Sequence, residues 1–221
     1  MFQQIINDII KECPVCSKLK RPTQINCKNN CWSKCNMLNK YFDSGISPKY
    51  INNNIKDYLK KYTVNTLEEA NVCNESVNIC LDFCENRFMK NCIKLSGSFK
   101  CGKDFLENTM LKVFVDKGFS CLNLGFSDVV EQSKKGESFL DIVDNYDVVG
   151  ILDLGSEYSK SESRFVEKTL LGLLNKFSFN CTKTIITTHL SMQEILEQYG
   201  PQVHEIFDSD YIGVKVVGKI K

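Results

Sequence analysis

The stretch Gly97-Ser98-Phe99-Lys100-Cys101-Gly102-Lys103-Asp104 has the residue types and spacing of a phosphate-binding loop: two glycines five positions apart, then a lysine. A loop of this kind aims successive backbone N–H groups and a helix N-terminus at phosphate oxygens, while the lysine neutralises the terminal phosphates. The residue after the lysine is ordinarily Ser or Thr, whose hydroxyl holds magnesium. Here it is Asp104. A motif this short is decided by its context. The segment CIKL before it reads as a strand, and DFLENTMLKVFV after it reads as a helix. The competing reading is a structural turn that binds nothing.

Two later segments offer the other groups that phosphoryl chemistry needs. In DVVGILDLGSE, an apolar strand ends at Asp153, the residue type that holds magnesium in such sites, where a second acid usually follows to position the attacking water. Only one acid stands at that place here. The strand KTIITTHL ends at His189, where a polar residue would sense the terminal phosphate. The alternative for His189 is a hydrogen-bonded histidine at a strand end.

A second centre of chemistry lies near the N-terminus. The chain has 12 cysteines, and Cys13, Cys16, Cys27, Cys31 and Cys35 crowd into one short segment. Cys13 and Cys16 form a knuckle that can grip one zinc ion, and a second pair must come from the other three. Tetrahedral zinc needs four thiolate sulfurs at about 2.3 Å. The expected set is Cys13, Cys16, Cys27 and Cys31, with Cys35 able to substitute if the segment is helical. Such a closed site is structural, because it leaves no position open for catalysis. Free thiols are the bland alternative, and the spacing typical of ferredoxin clusters is absent. Cys73, Cys80, Cys84 and Cys92 read as buried small apolar residues on helical segments.

Bulk properties narrow the field. Hydrophobic residues at 43% and charged residues at 25% are those of a globular protein. The net charge of +1 gives no global nucleic-acid signature, so any such contact must be local. No segment reads as a membrane span or signal peptide, which makes the cytoplasm the expected compartment.

The elements that position these groups follow from periodicity. Residues 1–12, 52–62 and 66–92 have helical patterns, with a turn at SGISPKY. From residue 93 onward, short apolar runs alternate with amphipathic segments. FSCLNLGF, DVVGILDLG and KTIITTHLS read as strands, while 103–118 and SRFVEKTLLGLLNKF read as helices. That alternation predicts an α/β fold with a parallel sheet covered on both faces. The expected division is a cysteine-rich partner-binding module over 1–65 and a P-loop domain over 66–221.

Taken in order, these motifs resemble the bacterial replicative-helicase loaders of the DnaC/DnaI type, a branch of the AAA+ ATPases. The family pattern runs from a cysteine-rich module through SGIP-x-x-Y, GSFGVGK[ST]-x-L, hhhDDLGAE and TIITTNLS. This chain shows CPVC…CKNNC, SGISPKY, GSFKCGKDFL, ILDLGSE and TIITTHLS. The resemblance implies an AAA+ three-layer domain behind a zinc-binding module. It implies ATP or ADP with Mg²⁺ held by Gly97, Ser98, Lys100, Cys101, Gly102, Lys103 and Asp104, with Asp153 and His189 in the catalytic positions. It also implies a hexameric replicative helicase and single-stranded DNA as partners, of a phage-type loader in a primosome, with self-association or a helicase-bound ring as the assembly.

The departures matter as much. Lys100 stands where the loop has a third glycine, so a positive φ there costs about 1 kcal/mol. Asp104 puts negative charge beside the phosphates. Aligning DLGSE on DLGAE leaves Leu152 where the magnesium acid belongs, with Glu157 a distant replacement. The late segment that supplies arginines corresponds to GPQVHEI, where Gln202 and Ile206 stand instead, and Arg21, Arg87 and Arg164 are the chain's arginines. An arginine finger contributes about 10³ to 10⁵ in rate, so turnover is expected to be slow or absent. Two other readings remain open: an AAA+-shaped adaptor that needs no nucleotide, and a transposition-type ATPase regulator.

Overall fold

A computed structural model of the chain describes residues 39–136, 139–157 and 163–220. The five clustered cysteines, Arg21 and the helix expected over 1–12 lie outside the described residues.

Five parallel strands form the central sheet: β2 (Cys92–Ser96), β3 (Cys121–Gly125), β4 (Val148–Leu154), β5 (Lys183–Thr188) and β6 (Tyr211–Lys215), in the order β3-β4-β5-β2-β6. Their side chains alternate between two apolar layers, as pleating requires. Ile93, Leu95, Val148, Ile185 and Val214 face one layer, and Cys92, Val149, Ile151, Ile186 and Tyr211 face the other. The helices α2 (Leu67–Cys84) and α3 (Lys103–Asp116) cover the first face. The helices α4 (Phe126–Lys134), α6 (Ser163–Asn180) and α7 (Met192–Ser209) cover the second. This α/β/α sandwich is the expected three-layer architecture. A buried lysine interrupts the apolar pattern: Lys94 contacts the Met192 sulfur and lies over the Phe207 ring at 5.4 Å. Burial holds its ammonium below the ordinary lysine range.

Capping explains several element limits. Thr66 accepts from the Glu69 N–H to start α2, and Ser191 with Glu194 forms a capping box at α7. Gly118, at φ 91°, closes α3 where the sequence placed its end. α2 stops at Cys84, short of the helix expected to residue 92. α7 is broken internally at Gly200 (φ 81°, ψ 174°) ahead of Pro201, which follows from proline's clash with the preceding turn.

Residues just before position 65 belong to the packing of this body. Ile46, Ile51, Ile55, Tyr58 and Tyr62 are buried in the same core as α2 and α3. The short helix α1 (Tyr58–Lys61) leads into β1 (Tyr62–Thr63), which pairs antiparallel with β7 (Lys219–Ile220). The last residues of the described chain are thereby tied to its leading segment. The remaining helix, α5 (Phe139–Val143), borders α6.

Ile186, in β5 at the centre of the sheet, is fully buried. Ile186→Ala is expected to lower unfolding free energy by about 2–5 kcal/mol, read as a shift of the urea midpoint. Truncating Phe179, 87% exposed, serves as the comparison and should leave the midpoint in place.

Candidate nucleotide site

The loop leaves β2 at Ser96 and enters α3 at Lys103, between the two strands that flank β2. Gly97 N–H donates to the Thr188 carbonyl at 3.3 Å, and Val216 N–H donates to the Ser96 carbonyl at 2.7 Å. A Cβ at Gly97 would stand 2.2 Å from the Val216 carbonyl oxygen, so this position admits only glycine. Gly102 (φ 100°) caps α3 in the left-handed region, and a Cβ there would meet the Tyr58 and Tyr62 rings. Lys100 does adopt positive φ, at 62°. The strain expected from its replacement of glycine is therefore present in the molecule.

Lys103 is buried at the start of α3, and its ammonium is held by the loop itself. It donates to the Gly97 and Ser98 carbonyls at 2.9 Å each. Phe99, 70% exposed, stacks on His189 with centroids 4.6 Å apart and lies 5.9 Å from the Lys103 nitrogen. The loop lysine, the loop aromatic and the end of β5 thus form one packed unit.

Asp153 reaches this unit through an irregularity in β4. Ile151 pairs with Ile186 and Leu154 with Thr188, so three steps on β4 match two on β5. The extra residue forms a bulge. Asp153 takes φ 54° there, and its N–H donates to the Thr187 hydroxyl at 2.9 Å. Burial raises the Asp153 carboxyl, as does the Asp104 charge, while Lys103 and His189 oppose both. Three of the residues expected to share a site, Asp104, Lys103 and His189, thus bear on the fourth, Asp153.

Two acids complete the surroundings. Glu107, one turn beyond Lys103, is fully buried, and its oxygens lack a hydrogen-bond partner of good geometry. Burial holds its carboxyl well above the usual range, with the Asp104 and Asp153 charges adding to this and Thr187 acting the other way. Glu157 accepts from Gly155 N–H at 2.9 Å and from the Tyr199 hydroxyl. The acid four residues past Asp153 is thus folded back towards His189 but already engaged. Sequence reasoning missed Glu107, although its spacing of four from Lys103 places both on one helix face. It also left Phe99 without a role.

For magnesium, the donor chemistry is that of Asp104 and Asp153. One or two carboxylates completed by substrate phosphates is the usual arrangement for this ion, so the residues fit it. Among the described residues no group of three or more His, Cys, Asp or Glu side chains could hold a metal by itself. Of the arginines, Arg87 pairs with Asp82 and Glu85, and Arg164 is exposed at the start of α6. No described helix is long and apolar enough to cross a membrane.

Glu107 gives a pH dependence with a definite sign. Above the ordinary 4.5 and below its raised folded value, the folded chain holds a proton that the unfolded chain has lost, so stability falls as pH rises. Asp153 and Glu157 are shifted in the same direction. Glu107→Gln keeps the shape without the titration. Its urea midpoint is expected to gain on the parent's steadily as pH is raised from about 4.5 to neutrality; parallel pH profiles would exclude a titrating Glu107.

No family model matches the chain, and no curated protein matches it. Solved structures do. The DnaC helicase loader superposes with a TM-score of 0.62 at 20% identity, covering 77% of this chain and 99% of that one. DnaI gives 0.60 at 15% identity, covering 77% and 94%. AMPPCP-bound DnaA from Aquifex aeolicus gives 0.61 at 17% identity, covering 77% of this chain and 50% of that one. The chain has the fold of an AAA+ domain, and in that fold it is similar to the DnaC helicase loader and DnaI.

Proposed function

We propose that this chain is a helicase loader in DNA replication, in which ATP or ADP with Mg²⁺ is a conformational ligand more than a fuel. The observation that carries the reading is the placement of Lys103 at a strand–helix junction facing Asp153 and His189. A cavity of about 260 Å³ opens at Gly97 and Ser98 of the loop, lined also by Glu69, Lys215 and Lys219 but not by Lys103. Phosphate binding draws on the helix N-terminus and on Lys103, once the lysine leaves the loop carbonyls. Bound phosphates would complete a magnesium shell begun by Asp104 and Asp153, and the metal would supply charge neutralisation there. Asp104 in place of a hydroxyl, Glu157 tied to Tyr199, and the absence of arginine from positions 202 and 206 all support weak turnover. A ligand that favours one of two conformations still switches the protein without hydrolysis.

The partner in this reading is a hexameric replicative helicase. It is engaged by the segment before residue 65, with zinc on Cys13, Cys16, Cys27 and Cys31, and is delivered to single-stranded DNA in the cytoplasm. A second reading is favoured by the Lys103 ammonium being already satisfied by the loop: an AAA+-shaped adaptor that binds its partner without nucleotide.

ATP with Mg²⁺ at about 100 times a micromolar Kd is expected to stabilise the protein by roughly 2.7 kcal/mol, with Lys103→Ala losing the effect and Asp104→Ser enlarging it. A flat thermal-shift titration would establish the adaptor reading instead. For the N-terminal segment, elemental analysis is expected to give one zinc per chain. Cys13→Ser with Cys16→Ser should lose both the zinc and capture of the helicase in a pull-down, while the α/β body keeps its melting transition.

A further inference from the structure

Three separated parts of the chain meet on one hydroxyl. Tyr58 is fully buried, and its hydroxyl lies 2.7 Å from the Cys101 carbonyl oxygen in the phosphate loop and 2.5 Å from the Val217 carbonyl oxygen near the C-terminus. A phenol has one proton to donate. Two carbonyl acceptors at hydrogen-bonding distance therefore share it or take it in turn. Burial raises the hydroxyl far above the ordinary phenol range, so the proton is not lost. The two acceptors are not equivalent, because Val217 has a second donor in the Cys73 thiol at 3.1 Å. When Tyr58 turns to Cys101, the Val217 oxygen stays satisfied.

The surroundings make this contact stiff. The Tyr58 ring stacks on Tyr62 with centroids 4.6 Å apart, and both rings press against Gly102, where a Cβ would stand 2.6 to 2.8 Å from their atoms. Tyr62 pairs with Ile220 in the β1–β7 ribbon. Displacement of the Cys101 carbonyl changes where the proton sits, and so bears on residues 216–220 and on the segment that leads back to the N-terminal cysteines.

We propose that Tyr58 is a positioning residue whose shared proton couples the phosphate loop to both ends of the α/β body, so that ligand in the loop and a partner on either chain end are felt by one another. By linkage the coupling is reciprocal. Its effect on nucleotide affinity rests on the nucleotide reading above, whereas the coupling between loop and chain ends does not.

Hydrogen–deuterium exchange on the intact protein tests it. Tyr58→Phe keeps the ring and removes the proton. It is expected to speed exchange in peptides covering 97–103 and 215–220 together, by roughly two- to tenfold, as the loss of one net hydrogen bond implies. Peptides from α2 and β4 should keep the parent rate, and Tyr62→Phe should reproduce the parent throughout. Cys73→Ala makes the opposite demand, since Val217 then depends on Tyr58 alone. Exchange should rise at 97–103 with 215–220 held. In Tyr58→Phe, parent-like exchange or a response in only one of the two segments would overturn the coupling, as would an unchanged loop in Cys73→Ala. In Tyr58→Phe and Cys73→Ala, ATP affinity, read by calorimetry, should fall by a similar factor, with Tyr62→Phe at the parent value. A parent that binds no ATP would sink the nucleotide reading, and the exchange pattern would still decide the coupling.

Discussion

Everything at the candidate site depends on how closely Gly97 is gripped by its neighbours. The residue sits at the exit of the one strand that has β5 on one side and β6 on the other. It donates to the Thr188 carbonyl, and the Val216 carbonyl occupies the space a side chain would need. Because both flanking strands are parallel, their C-terminal ends arrive at the same edge as the loop. His189 follows directly from β5, and residues 216–220 from β6. The glycine is thus more than a turn residue: it lets two strand ends close on the loop that carries Lys103.

Electrostatics then sets the character of the site. One buried ammonium, Lys103, is held by the loop carbonyls, and two nearby acids, Glu107 and Asp153, are held above their ordinary range by burial and by the Asp104 charge. An anionic ligand must displace the ammonium from two carbonyl oxygens and approach two carboxyl groups. A divalent cation brought with the ligand relieves the second cost. In the proposed reading, this balance favours a metal–nucleotide complex over a free phosphate.

The fold was largely legible because parallel strands are continuous apolar runs, and those at 92–95, 148–152 and 184–188 stand out between amphipathic segments. The loop and His189 were legible for the same reason, since strand ends mark where a loop or a sensor residue must fall. What stayed hidden has physical causes. β6 mixes glycine and lysine into its five residues and lies at the sheet edge, and the β1–β7 ribbon is two residues a side, so both rely on pairing rather than on pattern. Residues 46–62 read as part of a preceding module, yet their Ile and Tyr side chains join the core of the α/β body, and only tertiary packing reveals that. Glu107 was not singled out, because nothing in a helical pattern says that a carboxyl packs on the sheet beside Gly150 and Asn123. Glu157 was visible as an acid but not as one that Tyr199 had captured.

The bulge in β4 has a consequence for how this acid came to be where it is. In a regular ladder, side chains beyond Ile151 would keep strict alternation, and position 153 would be fixed by the strand's overall register. The extra residue uncouples them: Leu154 returns to the core on schedule, paired with Thr188, while Asp153 is lifted out of the alternation altogether. The acid's position is therefore set by the local bulge and not by the sheet's overall register. A change of residue at 153 therefore leaves the core position Leu154 in place, so the sheet's packing and the acid at its edge are structurally separable.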